Sequence, residues 1–443
     1  MDRPNILYIH SHDTGRYIQP YGYGIATPHL QNLAEEGVLF RQAFCAGPTC
    51  SPSRAGLVTG QPAHSAGMIG LAHRGFSLND YSRHLACVLR QRGGYHTAIS
   101  GFEHVGWRRQ QPDTYDQDLG GADDRADEAA VEFLKNAPDR QPFFLAVGFS
   151  QTHRLGRNFV ASPDIDAGEP PRTDPRYIRP PAPLPDTPDV RRDIAAYADS
   201  ALDLDRRMGN VFRALDEAGL TDNTLVIATT DHGIAFPKMK CNLTDHGIGV
   251  MLILRGPGGF TGGKVIDAMV SQVDLFPTIC DLAGIDRPDW LTGSSVRPLV
   301  TGEVDRIHDE IFSEVTYHAA YEPKRCIRTE RWKYIRRYDD RRRPVLPNID
   351  NSLSKDLYLD SALAEQPPAP EQLYDLAGDP NEACDLAGSP GYRDVLDDLR
   401  RRLDRWMQET NDPLREGPVA APRGAEVNDP DGLHPEHKTH KAQ

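Results

Sequence analysis

The sequence predicts an α/β fold built around a mostly parallel central sheet. Short apolar runs typical of buried strands alternate with longer amphipathic segments typical of helices through the first 320 residues. This alternation favours parallel strands with helices on both faces. Polar residues follow several of the predicted strands, and ligands of such sheets bind at the carboxyl ends of strands. A chain of 443 residues is long enough for one large domain and a smaller one.

The elements follow one another in a regular order. The predicted strands are Asn5–His10, Val38–Phe40, Tyr95–Ser100, Pro142–Phe149, Thr224–Thr229 and Val250–Leu254. A first helix begins at Thr27-Pro28, where proline is tolerated, and ends near Gly37. Further helices are predicted at Ala122–Asn136 and Arg191–Ala218. The proline-rich residues 155–188 predict a long loop over the face where the polar clusters gather.

The pattern changes after residue 320. Cys326–Arg331 and Trp332–Tyr338 predict a hairpin, and a polar insert, a strand at Gln372–Leu376 and a helix at Tyr392–Glu409 follow. We therefore predict a catalytic domain over residues 1–320 and a smaller α+β domain over 321–415. Residues 416–443 are rich in proline, glycine, histidine and charge, which predicts a flexible tail.

Charge and cysteine content exclude several classes of protein. The net charge of −14 argues against a nucleic-acid surface, which needs a basic face, so local cations must capture any anionic substrate. Seven cysteines without a CxxC pair do not form a disulfide framework. The amino terminus has no apolar signal core, and no apolar run approaches the roughly 20 residues of a membrane span. We expect a cytoplasmic protein without a membrane partner, and its oligomeric state is not predicted.

One run, CSPSRAGLVTG from Cys50 to Gly60, predicts reactive chemistry. Ser51 is a typical N-cap, Pro52 suits the first turn and Gly60 suits a helix end. Cys50 would then lie just before a helix N-terminus, where free amides favour an anion. Arg54 lies one turn into the helix and can reach back toward the same place. The alternative is a free cysteine buried in the core.

The run resembles the signature of the type I, formylglycine-dependent sulfatases. The resemblance implies an alkaline-phosphatase-like fold, one divalent metal ion and a formylglycine made from Cys50 by a formylglycine-generating enzyme. In that family the hydrated aldehyde is the nucleophile. The resemblance extends to other segments, among them Asn5–Ile9 and Pro142–Phe149. Several segments, particularly the surroundings of the signature and the run from Trp406 to Pro413, look most like the heparan N-sulfatase (sulfamidase) branch. The implied reaction is hydrolysis of sulfate esters or sulfamates, with a small sulfated sugar or amino sugar as substrate.

Two dipeptides at strand ends match the family's metal-binding positions. The resemblance implies a metal site formed by His12, Asp13, Asp231, His232 and the modified Cys50. The family normally has an aspartate where this chain has His12. A site with two imidazoles favours transition metals, so Mn²⁺ or Zn²⁺ becomes an alternative to the Ca²⁺ typical of the family.

Five side chains match positions that handle the sulfate group. The resemblance implies catalytic roles for Cys50, Arg54, His104, His153 and Lys240. His153 and Lys240 would hold the sulfate and assist departure of the leaving group, and His104 would contact the formylglycine hydroxyl. A histidine can give or take a proton near neutral pH, which suits both histidine roles.

One cation of the usual set is missing from the sequence. Phe102 stands where many sulfatases have a sulfate-binding lysine, so Lys238 or Arg154 would have to replace it. Candidate residues for the wall of the substrate pocket are His73, Arg74, Glu314 and His318.

Two other functions remain open at this point. A phosphonate monoester or phosphodiester hydrolase of the same superfamily would use the same fold and a similar nucleophile. A non-catalytic protein that binds sulfated glycans would keep Cys50 unmodified.

Overall fold

The computed structural model describes residues 3–106, 113–121, 125–138, 141–165, 167–437 and 439–442. Its largest sheet has eight strands in the order β11-β2-β10-β9-β1-β6-β4-β5. The five strands from β9 to β5 run parallel, β10 is antiparallel to both of its neighbours, and β11 pairs in parallel with β2. The predicted α/β class with a mostly parallel sheet is confirmed.

The strands of this sheet are β1 (Asn5–Ser11), β2 (Val38–Phe40), β4 (His96–Gly101), β5 (Gln117–Asp118), β6 (Phe143–Gly148), β9 (Thr224–Thr230), β10 (Leu252–Arg255) and β11 (Lys264–Ile266). Two short pairs lie outside it: β3 (Ala43–Phe44) with β12 (Val270–Ser271), and β7 (Arg154–Leu155) with β8 (Asn158–Phe159). Each predicted strand of the first domain coincides with an observed one. The sequence analysis missed the short edge strands β5 and β11, whose patterns are too brief to show a period.

The α-helices of the described residues are α1 (Pro28–Glu36), α2 (Cys50–Thr59), α3 (Ala63–Ala66), α4 (Leu85–Val88), α5 (Ala126–Lys135), α6 (Pro188–Glu217), α7 (Asp245–Ile248), α8 (Leu275–Ala283), α9 (Arg297–Thr301), α10 (Leu353–Leu359) and α11 (Arg393–Glu409). α6 begins three residues earlier than predicted because Thr187 caps it, accepting a hydrogen bond from the Val190 amide. The first residues predicted for α5, 122–124, lie outside the described residues. No helix of the described chain is long and apolar enough to cross a membrane.

The central sheet is covered on both faces. Ile6 and Tyr8 of β1 point into a core shared with α2 and α8, whereas Leu7 and Ile9 point into a core shared with α1, α5 and α6. This alternation is the period-two pattern of a strand buried on both sides. The polar ends of the strands are thereby left as the open edge of the sheet.

A second, antiparallel sheet of four strands lies in the C-terminal part. Its strands are β13 (Glu310–Tyr317), β14 (Tyr321–Thr329), β15 (Trp332–Arg337) and β16 (Glu371–Asp375). The predicted hairpin, the later strand and the helix α11 are all present. β13 begins ten residues before the predicted domain boundary, because Glu310–Tyr317 pairs along most of its length with β14.

Two segments predicted as irregular have specific contacts. In the proline-rich stretch, Phe159, Ile165 and Ile178 pack with α6 and with Phe236 and Met239, which lead to Lys240. In the stretch after residue 416, β17 (Glu426–Asn428) pairs with β18 (Thr439–Lys441). Asn428 is buried there and accepts a hydrogen bond from Arg74. The predicted tail is thus folded against the body of the protein in this structure.

Candidate active site

Four neighbouring parallel strands end at the same edge of the large sheet. His10 of β1 lies opposite Gly148 of β6, and Ser11 lies opposite Thr230 of β9, so the strand ends are level. The residues that follow these ends are His12 and Asp13 after β1, His104 after β4, His153 after β6, and Asp231 and His232 after β9. The sheet topology therefore brings together residues that are far apart in the sequence.

Helix α2 brings Cys50 and Arg54 to this edge. The helix begins at Cys50, so the cysteine is its first residue and is 2% exposed. The prediction that Ser51 is the N-cap is wrong: Thr49 precedes the helix, and the Ser51 hydroxyl accepts a hydrogen bond from the Ala72 amide at 3.0 Å. Gly60 ends the helix as predicted, with a φ of 64°.

Arg54 is held by groups on two strands and by an aromatic ring. Nη2 donates to Asp231 Oδ2 at 3.1 Å and to the Ser11 carbonyl at 2.9 Å, and Nη1 lies 2.6 Å from Nδ1 of His10. The Arg54 guanidinium lies 5.5 Å from the centre of the Phe102 ring. Phe102 therefore packs against a cation of the site in place of the lysine that many family members have there.

Neither proposed substitute supplies the missing cation. Arg154 is buried and donates to Asp193 Oδ1 at 2.7 Å and to the Ala235 carbonyl at 2.9 Å. Lys238 is exposed and lines a separate surface cavity of about 740 Å³.

Asp13 and Asp231 are buried carboxylates surrounded by donors. Asp231 Oδ1 accepts from the amides of Asp13 and His232 at 2.8 and 2.9 Å. Asp13 Oδ2 accepts from Lys240 Nζ at 2.9 Å. Burial alone would raise the pKa of both carboxyls, but Lys240 at Asp13 and His232 at Asp231 hold each pKa below its usual range. Both groups are ionised at neutral pH.

The two candidate imidazole ligands lie against these carboxylates. His12 Nδ1 is 2.9 Å from Asp13 Oδ1 and 3.1 Å from Asp231 Oδ2. Burial lowers the pKa of His12 to about 3, so the ring is neutral. His232 Nδ1 donates to the Gly233 carbonyl at 2.9 Å, and Nε2 lies 3.3 Å from Asp13 Oδ1.

These donors fit a metal ion. Ligand atoms of His12, Asp13, Cys50, Asp231 and His232 all lie within 4.8 Å of one another, and all five residues are buried. The Nε2 atom of His232 is buried without a hydrogen-bond partner. A buried ring nitrogen that lacks a partner is costly, and a metal ion held between it and the two carboxylates would remove that cost. The set of carboxylates and imidazoles suits a divalent ion.

Lys240 joins this cluster to a residue that the sequence analysis missed. Nζ lies 2.9 Å from Asp13 Oδ2 and 3.0 Å from Asp350 Oδ2. Burial alone would lower the pKa of Lys240, but the two carboxylates raise it well above its usual value. Asp350 lies in the polar insert before α10 and belongs to no motif, so only the tertiary structure could place it here.

His153 and His104 lie on either side of the cluster. Nδ1 of His153 is 3.0 Å from Asp13 Oδ2, and the His153 ring stacks on the ring of His12 at 4.1 Å. Nε2 of His104 is 2.7 Å from Nδ1 of His73, and Nδ1 of His104 is buried without a partner. His104 has a φ of 65°, a left-handed conformation uncommon for a residue with a side chain.

The remaining candidate pocket residues have different surroundings. His73 reaches the site through His104, and His318 is buried with an unpartnered Nδ1. Arg74 donates to the Ala319 carbonyl at 3.3 Å and to Asn428. Glu314 lies elsewhere, in a buried network with His64, Arg325 and Asp412. It is therefore not placed as a pocket residue.

The comparisons with known proteins agree with this geometry. A family model described as sulfatase matches residues 4–285, and one described as N-sulphoglucosamine sulphohydrolase, C-terminal, matches residues 238–358. The N-sulphoglucosamine sulphohydrolase of Homo sapiens is 32% identical over 455 residues, which cover 90% of this chain and 88% of that protein.

Solved structures show the same fold at lower identity. A putative sulfatase from Bacteroides thetaiotaomicron superposes with a TM-score of 0.72 at 22% identity, covering 98% of this chain and all of that one. The phosphonate monoester hydrolase of Agrobacterium radiobacter superposes with a TM-score of 0.67 at 20% identity, covering 92% of this chain and 96% of that one. At such identities the superpositions establish the fold alone.

Proposed function

The chain belongs to the sulfatase family, and we propose that it hydrolyses a sulfate ester or sulfamate of a small sulfated sugar. One observation supports this proposal above the others. Cys50 and Arg54 lie at the start of a buried helix, against two ionised carboxylates and with Lys240 within hydrogen-bond distance of one of them. The family implies a divalent metal ion and a formylglycine at the position of this cysteine.

The charges of the site suit an anionic substrate only when a cation is bound. Among the described residues of the cluster, the three carboxylates of Asp13, Asp231 and Asp350 outnumber the two cations Arg54 and Lys240. Binding of a divalent ion would change the net charge of this cluster from negative to positive. We propose that it is held by His12, Asp13, Asp231, His232 and the residue derived from Cys50, and that it is Mn²⁺ or Zn²⁺ as readily as Ca²⁺. When bound, such an ion supplies Lewis-acid stabilisation of the charge on the sulfate oxygens.

We assign the other steps of the reaction to side chains of the protein. Arg54 and Lys240 are the cations that would stabilise the sulfate oxygens as sulfur is attacked. Lys240 is held by the hydrogen bond that it donates to Asp13 and its pKa is raised, so it would act as a pre-oriented positive charge rather than as a proton donor. Formylglycine, when formed from Cys50, supplies the nucleophilic hydroxyl.

Two histidines are placed to move protons. His153 donates a hydrogen bond from Nδ1 to Asp13 Oδ2, and its side chain is 27% exposed, so the other ring nitrogen is free to meet a substrate. We assign to it the proton given to the departing oxygen or nitrogen. Nε2 of His104 is engaged by His73, so the buried Nδ1 is the atom left to contact the hydroxyl of the modified residue.

The test begins with the covalent state of Cys50. Mass spectrometry of the peptide from protein made in its native host should show one sulfur and two hydrogens replaced by one oxygen. The same preparation should hydrolyse N-sulfoglucosamine or an aryl sulfate faster than a phosphonate monoester.

Two cysteine variants complete the test. Cys50→Ala should abolish turnover, whereas Cys280→Ala, which removes another buried thiol from α8, should retain it. A preparation that hydrolyses only the phosphonate, or an active protein with an intact Cys50 thiol, would contradict the proposal.

A further inference from the structure

Asp350 is a carboxylate beside the candidate sulfate site that makes no hydrogen bond there. Its Oδ2 lies 3.0 Å from Lys240 Nζ, but in a direction that does not suit a hydrogen bond, so the contact is an ion pair alone. The side chain is 16% exposed, which places it at the entrance rather than in the core. Partial burial alone would raise the pKa of the Asp350 carboxyl, but the charge of Lys240 holds it at about 2, so it is ionised.

The position of Asp350 is set by the C-terminal sheet and not by Lys240. Asn348, two residues before it, accepts a hydrogen bond from the Ala320 amide at 2.8 Å and donates to Glu322 Oε2 at 3.0 Å. Asn348 is 2% exposed. These contacts fasten the insert to the β13–β14 connection and hold Asp350 toward the site.

His318 supplies a second unpartnered polar atom at the same place. It lies in the connection between β13 and β14, is buried, and has no hydrogen-bond partner at Nδ1. Burial and the charge of Lys240 lower the pKa of His318 well below its usual value, so the ring is neutral. Asp350 and His318 thus offer hydrogen-bonding atoms that the described protein leaves unused.

The chemistry of sulfate decides what these atoms can bind. A sulfate group at neutral pH offers only acceptor oxygens, and an ionised carboxylate is also only an acceptor. Asp350 therefore repels the sulfate itself and gains only from a hydrogen-bond donor on the rest of the substrate. An aryl sulfate carries no such donor, whereas a sugar carries hydroxyl groups and an amino sugar also carries an amine.

We propose that Asp350, with His318 near it, is a specificity-determining residue that binds a hydroxyl group of the sugar next to the sulfated position. The inference rests on the proposed function and narrows it: Lys240 faces the sulfate, and Asp350 faces the leaving group. The sulfate group would therefore lie on the Lys240 side of this ion pair, and the sugar that leaves would lie on the Asp350 side.

Asp350→Ala and Asp350→Asn should be assayed on a sulfated sugar and on an aryl sulfate. The comparison distinguishes a role of Asp350 in binding the sugar from a role in positioning the Lys240 side chain. A hydrogen bond to a charged group contributes enough that kcat/KM for N-sulfoglucosamine should fall about 10- to 100-fold, mainly through KM. For 4-nitrophenyl sulfate the change should stay within about twofold. An equal fall for both substrates would overturn the proposal, because it would show that Asp350 only positions Lys240.

Product inhibition gives a second measurement that does not depend on turnover of the aryl sulfate. Glucosamine should inhibit the Asp350 variants about 10- to 100-fold more weakly than the unaltered enzyme, whereas inorganic sulfate should inhibit all of them within about twofold. Unchanged inhibition by glucosamine would contradict the proposal.

Asp245→Asn is the matched control. Asp245 is also a carboxylate paired with a buried lysine, Lys333, at 2.7 Å, but it lies against the C-terminal sheet. Its replacement should not alter the ratio of the two substrates. If the unaltered enzyme with a converted Cys50 hydrolyses neither substrate, the proposed function itself fails, which is a different result from an equal loss in the variants.

Discussion

His12 places an imidazole between the two candidate metal-binding aspartates, at a position where the resemblance to sulfatases implies a carboxylate. Its Nδ1 lies within 3.1 Å of oxygens from both candidate metal-binding aspartates, so the residue is part of the cluster and not a distant neighbour. An imidazole favours transition metals, and a carboxylate favours hard ions such as Ca²⁺. The metal preference of this protein should therefore depend on one side chain.

We predict that His12→Asp shifts this preference toward Ca²⁺. The ratio of Ca²⁺ to Mn²⁺ or Zn²⁺ affinity should rise by about tenfold or more, the scale on which changes at metal sites act. Metal content after dialysis against equimolar mixtures, together with activity restored to metal-free protein, measures the ratio. An unchanged ratio would show that His12 is not a ligand.

Arg54 owes its role to geometry as well as charge. It reaches Asp231, Ser11 and His10 at once, which the single ammonium of a lysine cannot do. We predict that Arg54→Lys lowers kcat by about 100-fold, the effect of losing one pre-oriented donor to a developing oxyanion. Arg328→Lys is the control, since Arg328 is also buried against an aromatic ring, that of Phe44. A loss of similar size in both variants would indicate general destabilisation instead.

The helix that carries Cys50 depends on the glycine at its end. Gly60 has a φ of 64°, and a Cβ added there would lie 2.5 Å from Leu291 Cδ2. Gly284, which ends α8 with a φ of 59°, has nothing within 4 Å of the same position. The two sites share the backbone strain and differ only in the available space.

We predict that Gly284→Ala costs about 1–2 kcal/mol of stability and that Gly60→Ala costs about 1–3 kcal/mol more. Chemical denaturation of both variants gives the comparison. Equal losses would mean that Leu291 moves aside freely, and the placement of α2 would then not depend on this contact.

Most of the strands and helices could be predicted from the sequence. Apolar runs such as Thr224–Thr229 located the strands of the large sheet, since a strand buried on both faces is continuously apolar. The N-terminus of α2 was misjudged because Ser51 has a side chain typical of caps, whereas the structure uses its hydroxyl for the Ala72 amide. At Ser51 the preference of serine for the N-cap position was therefore outweighed by a hydrogen bond to a residue distant in the sequence.

At the scale of the whole molecule, a buried charge network joins the C-terminal sheet to helix α3 and to the segment after α11. Glu314 of β13 contacts His64 of α3 at 2.9 Å and Arg325 of β14 at 3.2 Å, and Arg325 also contacts Asp412 after α11 at 2.5 Å. Burial alone would raise the pKa of Glu314, but His64 and Arg325 hold it at about 2. With Arg325 already against both carboxylates, this network is better suited to stability than to binding an ion.

We predict that Glu314→Gln costs about 3–5 kcal/mol, because it leaves buried charges uncompensated. A carboxyl whose pKa is lower in the folded state stabilises the protein above its usual value of 4.5 and loses that effect as pH falls toward 2. The gap in stability between the unaltered protein and the variant should therefore shrink between pH 5 and pH 2. Glu371→Gln, at a partly exposed pair with Arg400, should cost at most about 1 kcal/mol. A gap that is constant with pH would contradict the assignment.

Contacts between distant parts of the chain are also where prediction from sequence stopped. The residues after each strand end could be assigned to one site because the topology of a parallel sheet fixes their position. Asp350 and the His73–His104 contact had no such guide, because an irregular insert and a loop place them. Asp350, to which we assign a part in substrate choice, is a residue that no pattern marked.

The burial of Cys50 limits when this side chain can be modified. A side chain that is 2% exposed and enclosed in a helix is out of reach of another enzyme once the fold has closed. The proposed conversion of this cysteine would then have to precede folding, and a molecule that folded unconverted would stay so. A preparation would then contain folded molecules with a converted Cys50 and folded molecules with an unconverted one. Its specific activity would be proportional to the fraction of Cys50 converted during synthesis.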